Sequence, residues 1–260
     1  MRNVPLARFD ALPQRVLPIR TDYPPATRLD WHRHRRSQLL YGATGVMQVE
    51  TRSGKWTVPP QRAVWIPAQE SHRVSMRDVS TCSLYIQPEI VCRTPSTCEA
   101  IAVSPLMRQL LLAASEVAIP HDEHGRDGAL MDLLLHEIRL APALPLHLPM
   151  PEEEPLRGLC RAFLARPDAH LTAAACAREL HWSERSFRRR FRRQTGMGFL
   201  DWRGRACVLQ SLPRLAAGES VTRVALDAGY DSASAFSSAF RRILGCPPSH
   251  YLPCKPLEGR

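Results

Sequence analysis

The chain has 260 residues, of which 44% are hydrophobic and 23% charged, a composition typical of a folded globular protein. It has no apolar run of membrane-spanning length, and residues 1–10 lack the apolar core of a signal peptide, so we expect a cytoplasmic protein that does not span a membrane. Its eight cysteines include no CxxC pair, which excludes zinc-finger spacing and favours free, mostly buried thiols.

The net charge of +10 is confined to the last two fifths of the chain. Residues 155–260 carry 18 lysines and arginines against 8 acidic residues, whereas residues 1–154 carry 17 of each. This asymmetry predicts a neutral module joined to one that binds a polyanion. Charge alone leaves nucleic acid and an anionic membrane open as the partner.

Short strands are predicted for the first part of the chain. Residues 29–90 contain short apolar runs, stretches of period-two alternation and turn signals such as Gly45. Several strands at this spacing favour an antiparallel sandwich or barrel. In residues 104–119 and 126–141 the apolar residues follow helical spacing, so two helices either cover this core or face a partner chain.

A proline-rich stretch with three consecutive glutamates, residues 142–155, marks the predicted domain boundary, because proline interrupts a helix interior. We therefore predict a strand-rich domain over residues 1–95, a helical segment over 96–154 and a basic helical domain over 155–260. The last of these contains an internal repeat.

The repeat becomes visible when the sequence is shifted by 49 residues. The aligned pairs are Ser183 and Ser232, Phe187 and Phe236, Phe191 and Phe240, and Gly196 and Gly245. Each copy contains a short alanine-rich helix, a turn, a capping serine and a second helix that ends at glycine. This is the outline of a helix-turn-helix, present twice.

The second helix of the first copy has an all-arginine face. With Ser183 as its N-cap, Phe187 and Phe191 fall on one side of the helix. The opposite side carries Arg185, Arg188, Arg189 and Arg192. Like charges at i, i+4 repel by a few tenths of a kcal/mol, so a merely solvated face would mix signs. The pattern favours contacts with phosphates and with guanine edges of DNA.

The equivalent face of the second copy is mostly serine. It carries Ser234, Ser237, Ser238 and Arg241. Serine discriminates weakly among bases, so we expect the first copy to supply most affinity and base readout and the second copy mainly to position the protein. A solvated helix face is the alternative.

Residues 218–251, "GESVTRVALDAGYDSASAFSSAFRRILGCPPSHY", resemble the signature of AraC/XylS-type bacterial transcription regulators, and residues 171–203 resemble the first motif of that family. The resemblance implies two helix-turn-helix units that read successive major grooves about 34 Å apart. By position, the reading residues would be Arg185, Arg188, Arg189 and Arg192 in the first unit and Ala233, Ser234, Ser237 and Ser238 in the second.

The chain departs from the family pattern in two places. One continuous helix, here about residues 199–217, should join the two units, but Gly204 and Pro213 fall within it. Proline kinks a helix, so we expect Pro213 to tilt one reading helix relative to the other. Ser238 stands where the family frequently has arginine, so the family's contact does not carry over at this position of the second unit.

The front module resembles a cupin barrel. His32 and His34 are two residues apart, hence on one face of a strand, and "VWIPAQESH" supplies His72. They match three of the metal ligands of metal-binding cupins, whereas Gln38 or a neighbour replaces the glutamate. Three imidazoles suit Zn²⁺, Fe²⁺ or Ni²⁺, so a divalent metal is possible, and the alternative is a metal-free polar ligand pocket of His32, His34, Gln38 and His72.

These resemblances imply an α+β multidomain protein, with a cupin-like sensor barrel and helical segment followed by an all-α double helix-turn-helix domain. We expect a transcription regulator that binds promoter DNA under the control of a small molecule, and that contacts RNA polymerase if it is an activator. A homodimer would use Leu106, Leu110, Leu111, Leu130, Leu133, Leu134 and Ile138, unless these are core residues. The alternative function is a metal-dependent cupin enzyme with a DNA-binding tail.

Overall fold

A computed structural model describes residues 6–24, 26–77, 79–90, 93 and 97–251. Cys92, Cys254 and the predicted boundary at residues 95 and 96 lie outside the described residues. The chain divides into two compact units, Met1–Thr51 with Val58–Leu144 and Arg52–Thr57 with Pro145–Arg260. Within the described ranges, no helix is long and apolar enough to cross a membrane.

The strands are β1 Val16–Asp22, β2 Arg28–His32, β3 Ser37–Gly42, β4 Val46–Thr51, β5 Gly54–Val58, β6 Arg62–Ile66, β7 His72–Arg77, β8 Ser80–Ile86, β9 Glu99–Ala102 and β10 His147–Pro149. In the first unit, one sheet has the order β1-β8-β3-β6-β9, with every neighbouring pair antiparallel. All six residues of β3 are buried, so both faces of this sheet are covered at its centre. Strands β4, β7 and β2 also pair antiparallel, and this pairing sets His32 opposite His72.

Two helices cover the β1-β8-β3-β6-β9 sheet, α1 Pro105–Ala114 and α2 Arg126–Leu140. Leu111, Leu134 and Ile138 are fully buried in one core with Leu39 and Leu84 of the sheet. This part of the predicted dimer seam is therefore intramolecular core. Leu110 and Leu130 pack partly against the same core, whereas Leu106 and Leu133 are exposed.

The second unit is mainly helical, which confirms the predicted fold class. Its helices are α3 Glu154–Ala165, α4 Ala173–Glu179, α5 Glu184–Thr195, α6 Phe199–Ala216, α7 Val221–Asp227, α8 Ala233–Leu244 and α9 Pro248–Tyr251. The repeat is visible in the helix lengths, since α4 and α7 each have 7 residues and α5 and α8 each have 12. Strands β5 and β10 pair antiparallel in this unit and set Trp56 opposite His147.

Both long helices of the repeat begin and end as their sequences predict. The Ser183 and Ser232 side chains accept hydrogen bonds from the backbone N–H groups three residues later, which satisfies donors that the first turn leaves free. Gly196 and Gly245 follow the last turns with φ of +69° and +85°, a left-handed conformation that glycine adopts without steric cost.

The helix that joins the two units of the repeat is continuous. α6 passes through Gly204 and Pro213 without interruption, and Pro213 lies in its last turn, so its missing backbone N–H removes one hydrogen bond near the end of the helix. Trp202 anchors its first part, because the indole Nε1 donates a hydrogen bond of 2.7 Å to the Pro149 carbonyl.

Candidate DNA interface and histidine cluster

Aromatic rings hold α5 against its own unit. Phe187 and Phe191 are fully buried, and their ring centroids lie 5.3 and 5.4 Å from that of Phe199. Phe191 also meets Trp202 edge-to-face at 5.6 Å. Burial of two phenylalanines on one side of a twelve-residue helix determines which side faces outward.

The outward side is the predicted arginine face, and all four of its arginines are exposed, namely Arg185, Arg188, Arg189 and Arg192. Arg190 lies apart from them, since its guanidinium sits 4.6 Å from the centroid of the Trp182 ring in a cation–π contact. This stacking explains why one of the arginines of α5 does not join the exposed face.

One of these four guanidiniums already has a carboxylate partner. Arg188 Nε donates a 2.7 Å hydrogen bond to Glu184 Oε1, one turn earlier on the same helix. Such exposed i, i+4 pairs contribute only about 0.3–0.5 kcal/mol, so a phosphate can displace the carboxylate. Among the described residues, no ion pair engages Arg185, Arg189 or Arg192. The face therefore keeps most of its positive charge free.

The second long helix of the repeat, α8, has the same construction with a less charged surface. Phe236 and Phe240 are fully buried, and Tyr251 of α9 meets Phe240 edge-to-face at 5.4 Å. Outward from them, Ser234, Ser238 and Arg241 are exposed, whereas Ala233 and Ser237 are half-buried. Only the last of these predicted contacts, Arg241, carries a charge.

A basic groove of about 450 Å³ between α5, α6 and α8 was missed by the sequence analysis. Arg192, Arg205 and Arg242 line it together with the carboxylate-bearing Asp201. Arg205 and Arg242 are 37 residues apart in the sequence, so only the packing of α8 on α6 brings them together. The only sequence signal was the arginine repeat that aligns Arg242 with Arg193.

In the first unit, the three predicted histidines converge. The ring centroids of His32, His34 and His72 lie 4.3–5.1 Å apart, and one nitrogen from each lies within 4.8 Å of the other two. His32 ends β2 and His72 begins β7. The sequence had suggested that His34 shares a strand with His32, but His34 lies two residues beyond the end of β2. The rings meet because the pairing of β2 with β7 sets His32 opposite His72, and His34 follows β2 by two residues.

Hydrogen bonds fix which nitrogens of the cluster are free. His32 Nδ1 lies 2.6 Å from the Asp30 carbonyl and His72 Nδ1 lies 2.8 Å from the Glu70 carbonyl. A carbonyl oxygen only accepts, so each Nδ1 carries the hydrogen and each Nε2 presents a lone pair. The Nε2 atoms of His34 and His72 are buried and have no hydrogen-bond partner.

Burial keeps His34 and His72 neutral. Desolvation lowers the pKa of His34 to about 4, and the neighbouring histidines contribute to that lowering. Desolvation likewise lowers the pKa of His72 to about 4. At neutral pH these two imidazoles therefore present lone pairs and not positive charge.

Gln38 forms a hydrogen bond with Tyr85, whose ring contacts His34. The sequence analysis did not select Tyr85. Gln38 Nε2 donates to Ser83 Oγ at 3.1 Å and to the Tyr85 hydroxyl at 3.2 Å, and its Oε1 is buried without a partner. The Tyr85 ring in turn lies edge-on to His34, 5.2 Å between centroids. Within the described part of the chain, no carboxylate joins the three histidines.

Comparisons with known proteins agree with both halves of this description. Residues 176–253 match the family model described as "Helix-turn-helix domain", and residues 16–138 match the one described as "AraC-like ligand binding domain". The chain is 31% identical over 222 residues to the HTH-type transcriptional regulator NimR of Escherichia coli (strain K12). That match covers 85% of this chain and 81% of NimR.

Solved structures give weaker matches. The ToxT protein of Vibrio cholerae is 10% identical, with a TM-score of 0.38 over 91% of this chain and 96% of that one. The DNA-binding domain of AdpA, solved in complex with a target DNA, is 34% identical, with a TM-score of 0.35 over 38% of this chain and 90% of that one. Both TM-scores are low, so the assignment rests on the sequence matches. The chain belongs to the AraC-type family of transcription regulators, with an N-terminal ligand-binding domain and a C-terminal helix-turn-helix DNA-binding domain.

Proposed function

We propose that this regulator reads its operator chiefly with α5 and positions itself on the duplex with α8. The observation that carries the proposal is the exposed four-arginine face, held outward by Phe187 and Phe191. Guanidinium forks match the O6 and N7 acceptors of guanine and also bind phosphates. The base-contacting set would be Arg185, Arg188, Arg189 and Arg192, and the positioning set would be Ala233, Ser234, Ser237, Ser238 and Arg241.

The basic groove supports a further contribution to affinity. Arg205 and Arg242 lie between the two reading helices, where a duplex that enters both helix-turn-helix units would pass its backbone. Phosphate contacts there would raise affinity for any sequence and add to the salt dependence of binding.

The sensor unit would bind a small-molecule effector and not transform it. The effector pocket would include His32, His34, Gln38 and His72, where buried polar atoms without partners could bind a ligand. Membership of a regulator family supports binding over turnover. An effector can act only through its different affinity for two arrangements of the protein. Such a protein would work in the cytoplasm, where the chromosome lies.

Self-association and contact with RNA polymerase are separate proposals. Leu106, Leu112, Leu133 and Leu140 are exposed on α1 and α2, which supports a homodimer through these helices. Light scattering of the wild type and of Leu133→Lys tests it, because a lysine there would leave only monomers. RNA polymerase would be contacted only if the regulator activates transcription.

The DNA-reading assignment is tested by selecting genomic fragments that bind the full-length protein and measuring the affinity of variants for them. Arg185→Ala should weaken binding by roughly 5- to 150-fold, as expected for loss of a base-edge contact. Arg161→Ala is the charge-matched control, because Arg161 is exposed on α3 and pairs with Glu154. An equal loss in both variants would show that net charge, and not the α5 face, determines binding.

A further inference from the structure

The histidine cluster contains buried ring nitrogens that no hydrogen bond within the protein satisfies. His72 is fully buried and its Nδ1–H is satisfied by the Glu70 carbonyl, yet its Nε2 lone pair has no donor. His34 Nε2 is also buried and unpaired. Burial of an acceptor without a partner costs about 1–3 kcal/mol, so a fold that gathers these imidazoles needs something to satisfy the lone pairs.

A metal ion satisfies all three imidazoles at once. We propose that His32, His34 and His72 bind one first-row divalent cation through their Nε2 atoms, and that the remaining coordination positions accept an exogenous anionic oxygen ligand. This goes beyond the proposed function, because it gives the sensor a resident ion and its effector a chemical class. Carbonyl acceptors behind two of the imidazoles supply the outer-shell support that orients metal-bound histidines.

The distances require only a small adjustment. Zinc–nitrogen bonds of about 2.0–2.1 Å in a tetrahedral site place ligand nitrogens roughly 3.3 Å apart. The three ring nitrogens lie within 4.8 Å of one another, and rotation about the side-chain bonds can close the difference. The cross-strand pairing of His32 with His72 already holds two of the rings in register.

The charge of the site determines the class of its further ligand. Three neutral imidazoles leave the 2+ charge of the ion uncompensated, and no carboxylate of the described residues joins the cluster. An anionic oxygen donor such as a carboxylate, hydroxamate or phenolate would both complete the coordination and balance the charge.

Metal binding is tested on full-length protein purified without a polyhistidine tag, stripped with a chelator and titrated with Co²⁺. We expect visible absorption bands that saturate at one equivalent and disappear when Zn²⁺ is added. His72→Ala should weaken binding by more than roughly a hundredfold, since even outer-shell changes cost about 10- to 100-fold. His136→Ala is the control, because His136 is exposed on α2 and outside the cluster.

His34→Gln serves as a milder second variant, and operator affinity reports whether each variant is folded. Substoichiometric Co²⁺, or equal affinity in wild type and both cluster variants, overturns the metal site. Acetohydroxamate added to the Co²⁺-loaded protein should shift the absorption bands. Unchanged bands would overturn the proposal that the remaining coordination positions accept an anionic oxygen ligand. Loss of the metal with intact DNA binding would leave the proposed function standing, so the two failures are distinguishable.

Discussion

Arg189 and Ser238 occupy equivalent positions in α5 and α8, which allows one matched comparison of the two helix-turn-helix units. Arg189 is exposed and, among the described residues, forms no ion pair, so its substitution breaks no ion pair within the protein. Arg189→Ala should cost about 1–3 kcal/mol of operator binding if the guanidinium meets a base edge. Ser238→Ala removes one neutral hydrogen bond and should cost about 0.5–1.5 kcal/mol.

Fluorescence anisotropy with a selected operator, repeated over a series of salt concentrations, measures both quantities. A base contact at Arg189 would leave the logarithmic salt slope unchanged in Arg189→Ala, whereas a phosphate contact would reduce it by about 0.9. Ser238→Ala should leave the slope unchanged in either case. A larger loss from Ser238→Ala than from Arg189→Ala would refute the division of labour between α5 and α8.

Three further changes test other parts of the structure. Glu184→Gln frees Arg188 from a pair worth about 0.3–0.5 kcal/mol, so operator affinity at low salt should rise about twofold, and an unchanged affinity would argue against a DNA contact by Arg188. Phe191→Ala should lower the free energy of unfolding of the second unit by about 3–5 kcal/mol in urea, and a loss below about 1 kcal/mol would contradict the packing described for α5. Burial, with a smaller effect of Arg205, lowers the pKa of His147 from 6.5 to about 4. Between these pH values only the unfolded chain takes up this proton, so stability should fall as pH falls. In His147→Phe, the loss of unfolding free energy over this pH range, measured with urea, should be smaller than in the wild type by at most about 3 kcal/mol. An equal loss in both proteins would show that other groups cause the pH dependence.

Helices α5 and α8 were predictable because their signals are local. The capping serine, the paired phenylalanines and the terminal glycine of each copy lie within fourteen residues, and each acts through hydrogen bonds or spacing within one helix. The same holds for the start of α1, where Ser104 Oγ accepts from Met107 N at 3.0 Å. Elements with this kind of signal were placed to within a few residues.

Two edge strands, β1 and β10, were missed because each contains a proline. β1 contains Pro18 and β10 ends at Pro149, and both residues weakened the strand pattern. An edge strand pairs on one side only, so it tolerates a residue without a backbone N–H. Both strands lie at sheet edges.

Sites assembled from distant segments were only partly accessible to sequence reasoning. The three histidines could be chosen from their types and spacing, but the free Nε2 lone pairs depend on carbonyls of Asp30 and Glu70 whose positions follow from the strand register. The groove with Arg205 and Arg242 depends on how α8 packs on α6, for which neither helix carries a local signal.

The DNA-reading unit is not continuous in the sequence, since residues 52–57 belong to it as well as residues 145–260. In that unit Trp56 stacks on His147, 4.4 Å between ring centroids, and Pro149 accepts the indole hydrogen of Trp202. A gene fusion that joined a foreign sensor at residue 155 would remove Trp56, His147 and Pro149, and Trp202 would lose its hydrogen-bond acceptor. Exchange of sensors between such regulators by recombination would therefore succeed only if the crossover kept β5 and β10, or if the incoming sequence supplied equivalent strands.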